Sequence, residues 1–196
     1  MERMCLIKMK ATIVLIANNE AENLGRRLML SAHRAGNLGF EMARLPQHVS
    51  LKQPFSIPNL EVFEEFFDMF AKEVRPVTIK FTNISVFPSN VLGYDSGCIF
   101  LNAETSRDLQ YLQEMLFTQL DEHIGKCPAD HDEDYVFHMT VALGGAPYNN
   151  YEIARSELQK ADYKKNLIFD KLGLLYYDDD DIKPGTYFCY KVVTLA

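Results

Sequence analysis

Two stretches of the chain, QHVSLK at residues 47–52 and FHMTVA at residues 137–142, share the pattern histidine, apolar residue, hydroxyl-bearing residue, apolar residue. The alternation of apolar and polar residues with a period of two predicts an extended strand in each stretch. On a strand, side chains two positions apart point to the same face. Each stretch is therefore expected to present an imidazole and a hydroxyl side by side, with its apolar residues facing the core.

The predicted elements follow the same order in both halves of the chain. Each half contains a strand, a helix, the histidine strand, a second helix and a second strand, and His48 lies 90 residues before His138. A repeat of this length is typical of a duplicated α+β unit. We expect residues 1–196 to form a single domain of two pseudo-symmetric lobes, at about 11–90 and 97–196. Packing about a pseudo-twofold axis would bring the two histidines together across a central groove.

Hydrophobic periodicity and capping residues predict the individual elements. Helices are predicted at about residues 20–34, 60–73, 106–124 and 149–163. Strands are predicted at about residues 11–17, 40–45, 47–52, 77–87, 98–101, 135–143, 167–177 and 186–195. The acidic, turn-rich stretch 178–185 is predicted to be a loop. The aromatic stripe of the second helix is expected to lie in the core rather than to bind a cofactor.

Composition limits the partners that the chain can have. The 196 residues carry a net charge of −7, which opposes binding to the backbone of a long nucleic-acid duplex but is compatible with a small nucleotide or an RNA terminus. No apolar run is long enough to cross a membrane. The four cysteines are scattered without a CxxC motif, which favours a reducing cytoplasm. A monomer is expected, because no exposed apolar helix is evident.

A pair of imidazoles across a groove can supply a general base and a general acid on opposite sides of one reacting centre. Histidine suits both roles because its ordinary pKa lies near neutral pH. The two hydroxyls can donate hydrogen bonds to a tetrahedral anion such as phosphate, whose charge grows in the transition state. This chemistry requires no metal or cofactor. The acidic run PADHDED at residues 128–134 lacks the fixed spacing of metal ligands and is predicted to be a solvated loop.

The paired motifs HVSL at residues 48–51 and HMTV at residues 138–141, in a duplicated α+β chain, resemble the signatures of the two-histidine (2H) phosphoesterase superfamily. That superfamily includes the 2′-5′ RNA ligase-like proteins and cyclic nucleotide phosphodiesterases. The resemblance covers roughly residues 10–196. It implies a bilobal fold with two antiparallel sheets flanking a central cleft and helices outside. It also implies metal-independent hydrolysis of a 2′,3′-cyclic phosphate or a related phosphoester.

The resemblance also implies roles for individual residues. His48 and His138 correspond to the catalytic acid and base, and the sequence does not determine which is which. Ser50 and Thr140 correspond to the residues that hold the phosphate. Lys52, two residues after Ser50, is expected to continue the same face of the strand and to contact the phosphate.

Two features distinguish this chain from many relatives. Ser50 stands where threonine is more usual, which keeps the hydroxyl donor, and Leu143 stands where many RNA ligase-like members carry arginine. The second difference argues against a polynucleotide substrate. An aromatic residue often stacks on the nucleobase in this superfamily, and Phe55, Tyr148 and Tyr187 are the candidates. Two alternatives remain open, namely a non-catalytic nucleotide-binding or regulatory module of the same fold and an α+β protein with incidental histidines.

Overall fold

The computed structural model describes residues 9–90, 95–177 and 186–196. These residues form an α+β fold. The strands are β1 (Lys10–Ala17), β2 (His48–Ser50), β3 (Phe55–Ser56), β4 (Val77–Ser89), β5 (Ser96–Ala103), β6 (His138–Leu143), β7 (Asn166–Tyr177) and β8 (Tyr187–Thr194). The helices are α1 (Asn19–Gly36), α2 (Leu60–Ala71), α3 (Arg107–His123) and α4 (Tyr148–Leu158), with a short 3₁₀ helix at Glu41–Arg44. The loop predicted at 178–185 lies outside the described residues.

All the strand pairs are antiparallel, and the main path of hydrogen-bonded strands runs β2-β1-β7-β4-β5-β6, with β3 beside β1 and β8 beside β7. Strand β4 joins the two halves of this path. Its residues 77–80 pair with β7, whereas its residues 81–89 pair with β5. The predicted α+β class with antiparallel sheets is confirmed, and the long β4 makes the two sheets continuous.

Each half of the sheet contains a strand from the other half of the chain. Strand β7 pairs along its length with β1, and β4 pairs with β5. The last strand of each predicted repeat therefore lies in the sheet of the other repeat. The division into lobes at about 11–90 and 97–196 stays a prediction from the sequence repeat. The sheets do not follow it, because strands from both halves of the chain pair with each other.

The two ends of the main path, β2 and β6, lie close to each other. Strand β2 pairs with β1, and β6 pairs with β5, so each histidine strand has one ladder partner on its inner side. The two strands are thus near each other without being ladder partners of each other in the described parts of the chain. This arrangement places the two histidine motifs on facing walls of a cleft.

Side-chain caps explain why three of the helices begin where they do. The side chain of Asn18 accepts a hydrogen bond from the amide of Ala21, and Asn59 and Ser106 cap α2 and α3 in the same way. Helix α1 ends at Asn37, whose φ of 52° is left-handed. The phenylalanines of the α2 stripe are buried, so its prediction as core is confirmed.

The prediction of a strand at residues 40–45 is wrong. Residues Glu41–Arg44 form a 3₁₀ helix, and the guanidinium of Arg26 donates hydrogen bonds to the carbonyls of Ala43 and Leu45, at 3.0 Å each. The arginine thus pairs carbonyls that a neighbouring strand would otherwise pair. No helix in the described parts of the chain has the length and apolar character that a membrane span needs.

Candidate active site

Four of the residues predicted to form a site line a single cleft. His48 and His138 are the first residues of β2 and β6, and both line a cavity of about 240 Å³ together with Ser50 and Thr140. The two imidazoles and the two hydroxyls come from strands that are far apart in sequence and face each other in space. The structure therefore assembles the group of side chains that the repeated motif predicts.

The burial pattern matches the predicted alternation in both motifs. Along β2, Val49 is fully buried between two half-buried neighbours, His48 and Ser50. Along β6, Met139 and Val141 are fully buried. The apolar positions thus anchor each strand in the core, and this anchoring turns the histidine and the hydroxyl toward the cleft.

The same backbone contact orients both imidazoles. Nδ1 of His48 lies 2.9 Å from the carbonyl oxygen of Pro46, and Nδ1 of His138 lies 2.7 Å from the carbonyl oxygen of Val136. A carbonyl can only accept a hydrogen bond, so Nδ1 carries the proton in each ring. In the neutral ring, Nε2 then bears the free lone pair on the opposite side. Each histidine is fixed in the tautomer that leaves Nε2 available for proton transfer.

The environment favours the neutral form of both histidines. Desolvation by the surrounding protein is the main cause that lowers the pKa of His48, although the hydrogen bond to Pro46 opposes it. The nearby charge of His138 lowers the pKa of His48 further, and the Glu22 carboxylate raises it. Desolvation also lowers the pKa of His138 against the effect of its bond to Val136. The two rings line the same cavity, which is consistent with this effect of one ring on the other.

We expect both histidines to titrate below the ordinary histidine pKa of about 6.5. The measurement is an NMR pH titration of the imidazole resonances, with the urea-unfolded chain as the reference. The unfolded chain takes up protons at higher pH than the folded chain, so the free energy of unfolding should fall as the pH drops from about 6.5 through the lowered pKa values. A midpoint above that ordinary value for both folded histidines would contradict the burial described above.

Thr140 has a neighbour that orients its hydroxyl. Burial raises the pKa of the neighbouring Cys98 thiol to about 12, although its hydrogen bond with Thr140 acts in the opposite direction. The thiol is therefore protonated at neutral pH. When an anion occupies the cleft, the thiol can donate to Thr140, and the Thr140 hydroxyl can donate its own proton to the anion. This pairing prepares Thr140 to act as a donor.

Comparison with known protein families shows which family the chain belongs to. The sequence profile of the 2′-5′ RNA ligase superfamily matches residues 25–181. The chain belongs to this superfamily. The matched segment contains both histidine motifs and Cys98.

Individual relatives agree with this assignment. A Bacillus licheniformis protein, named as a candidate phosphoesterase, is 26% identical over 159 residues, which is 79% of this chain and 83% of that protein. A protein of Thermus thermophilus has the same fold with a TM-score of 0.62 at 15% identity, covering 95% of this chain and 97% of that one. LigT of E. coli, solved with 3′-AMP, has a TM-score of 0.57 at 13% identity, covering 96% and 99%.

Lys52 does not join the four residues of the cleft. Strand β2 ends at Ser50, and the regular alternation of side chains ends with it. The side chain of Lys52 is only 4% exposed and forms an ion pair with Asp132. Its Nζ lies 4.3 Å from the centre of the Phe117 ring, and it lines a different cavity. The prediction that Lys52 continues the face of His48 and Ser50 is wrong, because that face ends with the strand.

The three predicted aromatic candidates lie in different places. Tyr187 lines the cleft, and its hydroxyl donates to a Glu41 carboxylate oxygen at 2.8 Å. Phe55 is only 1% exposed and belongs to the core, so it cannot present a face to a ligand. Tyr148 opens α4 and is not among the described residues that line the cleft.

A second chamber adjoins the cleft on the side of His138. Its volume is about 490 Å³, and its wall includes His138, Phe100, Phe87 and the exposed Val136. The ring centres of His138 and Phe100 are 4.8 Å apart, and those of Phe100 and Phe87 are 5.3 Å apart. Phe87 is 43% exposed, so it offers an accessible aromatic face. The sequence analysis missed both phenylalanines because they lie within predicted strands, where aromatic residues are common.

The segment before His48 is held by a charged pair on α1 that the sequence analysis also missed. The backbone amide of Gln47 donates to Glu22 at 2.6 Å, and Glu22 pairs with Arg26 at 2.5 Å. Arg26 in turn holds the 3₁₀ helix, as described above. In the sequence, this pair could be recognised only by the spacing of Glu22 and Arg26, four residues apart on one helix. That spacing is common on solvated helix faces, so it does not indicate a role near the site.

The acidic run at residues 128–134 forms ion pairs. His131 lies 3.1 Å from Asp134, and Asp132 pairs with Lys52. Across the three described ranges, no group of three or more His, Cys, Asp and Glu side chains is arranged to hold a metal ion.

Proposed function

We propose that this protein is a metal-independent phosphoesterase that opens a 2′,3′-cyclic phosphate or hydrolyses a related small phosphodiester of a nucleotide or an RNA end. The observation that carries the proposal is the shared cleft, in which two imidazoles fixed by backbone carbonyls stand with two hydroxyls. Membership in the 2′-5′ RNA ligase superfamily supports it. The 3′-AMP bound to LigT is a nucleotide of the size proposed here.

The proposed reaction follows from the roles that these side chains can take. One neutral imidazole removes a proton from water as the water oxygen forms its bond to phosphorus. The other imidazole, protonated at the start, gives its proton to the ribose oxygen as the bond between that oxygen and phosphorus breaks. The hydroxyls of Ser50 and Thr140 donate hydrogen bonds to the non-bridging oxygens as their negative charge grows. In the active form, one of the two imidazoles is neutral and the other is protonated.

The chamber beside His138 supports an assignment of the two roles. Water needs little room, whereas a nucleoside needs a chamber with an aromatic wall, and Phe87 and Phe100 supply such a wall. If the nucleoside lies there, the leaving ribose oxygen lies next to His138. We therefore assign His138 as the general acid and His48 as the general base. The net charge of −7 favours a single nucleotide or terminus over a long duplex. A cytoplasmic location and a monomeric state stay predictions from the sequence.

The decisive experiment is phosphorus NMR of the purified protein with each 2′,3′-cyclic mononucleotide in the presence of EDTA. We expect conversion to one monophosphate isomer, because a single geometry of attack selects one leaving oxygen. Glycerol 1,2-cyclic phosphate, which lacks a base, is the matched control substrate. It should be opened with a higher KM, since base–aromatic stacking is worth about 1–3 kcal/mol.

Other outcomes favour the alternatives. Binding of the cyclic nucleotides without conversion, lost when either histidine is replaced, would point to a nucleotide-binding or regulatory module. Absence of both binding and conversion would contradict the proposal. Conversion that EDTA abolishes would contradict the metal-independent mechanism.

A further inference from the structure

The two strands that carry the site are not hydrogen-bonded to each other. Strand β2 pairs with β1, and β6 pairs with β5, but no ladder joins β2 to β6 in the described part of the chain. Helices α1 and α4 pack against each other nearby, yet helix packing alone does not define the separation of two strands to within a hydrogen-bond length. Contacts outside the sheet must therefore help to set the width of the cleft.

Two side-chain contacts link the end of β2 to the segment that leads into β6, and a third links it to α3. The hydroxyl of Tyr135 donates to the carbonyl oxygen of Ser50 at 3.0 Å. The side-chain amide of Gln113, on α3, donates to the carbonyl oxygen of Leu51 at 2.9 Å. The ammonium group of Lys52 pairs with Asp132, 80 residues further along the chain. All three join residues directly after His48 to residues before His138.

The ion pair between Lys52 and Asp132 is the charged member of this set. Lys52 is 4% exposed in its side chain, whereas Asp132 is 26% exposed. Asp132 also accepts a hydrogen bond from the amide of Ala129 at 3.0 Å, so it holds the turn of its own loop. A lysine buried to this degree requires an opposite charge, since an unpaired buried charge is strongly destabilising. The pair therefore ties the loop before β6 to the end of β2.

We propose that Lys52, Asp132 and Tyr135 form a clamp that sets the separation of His48 and His138, so that Lys52 is a positioning residue rather than a phosphate ligand. The clamp acts on both motifs at once. It joins the hydroxyl end of the first motif to the chain that precedes the second histidine. The clamp's effect on catalysis rests on the proposed function, but its effect on the geometry does not.

The electrostatic effect of His138 on His48 provides a direct readout of their separation. Its charge lowers the pKa of His48, and a Coulomb interaction weakens as the charges move apart. The shift in the His48 pKa that His138→Gln produces therefore measures the proximity of the two rings. This measurement requires no substrate and no turnover. Among the described residues, Glu22 is the other charged group that shifts the pKa of His48, and it is unchanged in every variant below.

The test measures this shift with and without the clamp. The double variant Lys52→Met/Asp132→Asn replaces the ion pair by neutral groups of similar size and leaves no unpaired buried charge. In this background, we expect the pKa shift caused by His138→Gln to fall by roughly half or more, since the interaction varies inversely with distance and water entering a wider cleft screens it. The matched control is Lys80→Met/Glu104→Gln, which removes an exposed ion pair and should leave the shift unchanged. An unchanged shift in the clamp variant would overturn the proposal.

Kinetics separate a positioning role from phosphate binding. In the clamp variant we expect kcat for the cyclic nucleotide to fall about tenfold or more with little change in KM, because small misplacements of catalytic groups cost rate. A rise in KM at unchanged kcat would instead indicate that Lys52 binds phosphate and would overturn the proposal. If the wild-type protein shows no turnover, the proposed function fails. The NMR measurement still tests whether the clamp sets the separation of the two histidines. If the clamp variant is too unstable, Tyr135→Phe provides the same pair of measurements without touching the charges.

Discussion

Replacing His48 or His138 by alanine should lower kcat for a 2′,3′-cyclic nucleotide by about 10²- to 10⁴-fold, because each variant removes one partner of the proton transfer. Both Nε2 atoms are free for this role, since Nδ1 of each ring is held by a backbone carbonyl. The same variants should change KM much less, because the hydroxyls proposed to contact the phosphate remain. Steady-state kinetics of both variants would measure the effect.

The double variant should be scarcely slower than either single variant. In the proposed mechanism the base and the acid act in one concerted exchange of protons, and residues that act as a unit show non-additive losses. His123→Ala is the control, because His123 lies at the exposed end of α3, where its ring approaches Phe66. It should keep full activity. If the fold-losses in kcat of the two single variants multiply in the double variant, the two histidines do not act as a coupled pair.

The sequence was sufficient to predict which side chains share a face within each histidine motif, and the reason is local. A period of two decides which side chains share a face of a strand, and it does so without any knowledge of the rest of the fold. The caps at Asn59 and Ser106 are local in the same sense, since each capping side chain contacts an amide only three residues away. These features depend on short-range geometry.

The position of Lys52 could not be predicted in this way. The rule that put it beside His48 and Ser50 holds only while the strand continues, and β2 has only three residues. Leu51 still bonds to Ile13 in register with β1, but Lys52 then pairs with a charged partner 80 residues away, which no local pattern predicts. The same limit applies to Arg26, whose bonds to the carbonyls of Ala43 and Leu45 replaced the predicted strand with a 3₁₀ helix.

The aromatic wall beside His138 illustrates a second limit. Phe87 and Phe100 come from adjacent strands, β4 and β5, and each looks like an ordinary strand residue in sequence. Only the hairpin that joins these strands, and the pairing of β5 with β6, bring them to the imidazole. The candidates chosen from the sequence were selected by residue type alone, and of the three, only Tyr187 lines the cleft.

Thr140→Val should lower kcat/KM by about 10²- to 10³-fold, the usual cost of removing one donor that stabilises a developing negative charge. Valine has nearly the same shape, so the change removes the hydroxyl and little else. Thr140→Ser, which restores the donor, should recover most of the activity. Thr118→Val is the surface control, because the Thr118 hydroxyl donates to the carbonyl of Glu114 on α3, away from the cleft.

The two hydroxyls of the cleft should differ in importance despite the repeated motif. Thr140 has a side-chain partner in the protonated thiol of Cys98, whereas the contact described for Ser50 is made by its backbone carbonyl with Tyr135. A hydroxyl that a hydrogen-bonding neighbour already orients loses less freedom when it contacts the phosphate. Ser50→Ala should therefore lower kcat/KM less than Thr140→Val does, and equal losses would show that the thiol contributes nothing. The comparison tests whether catalysis keeps the symmetry of the repeat or depends on the unequal surroundings of its two halves.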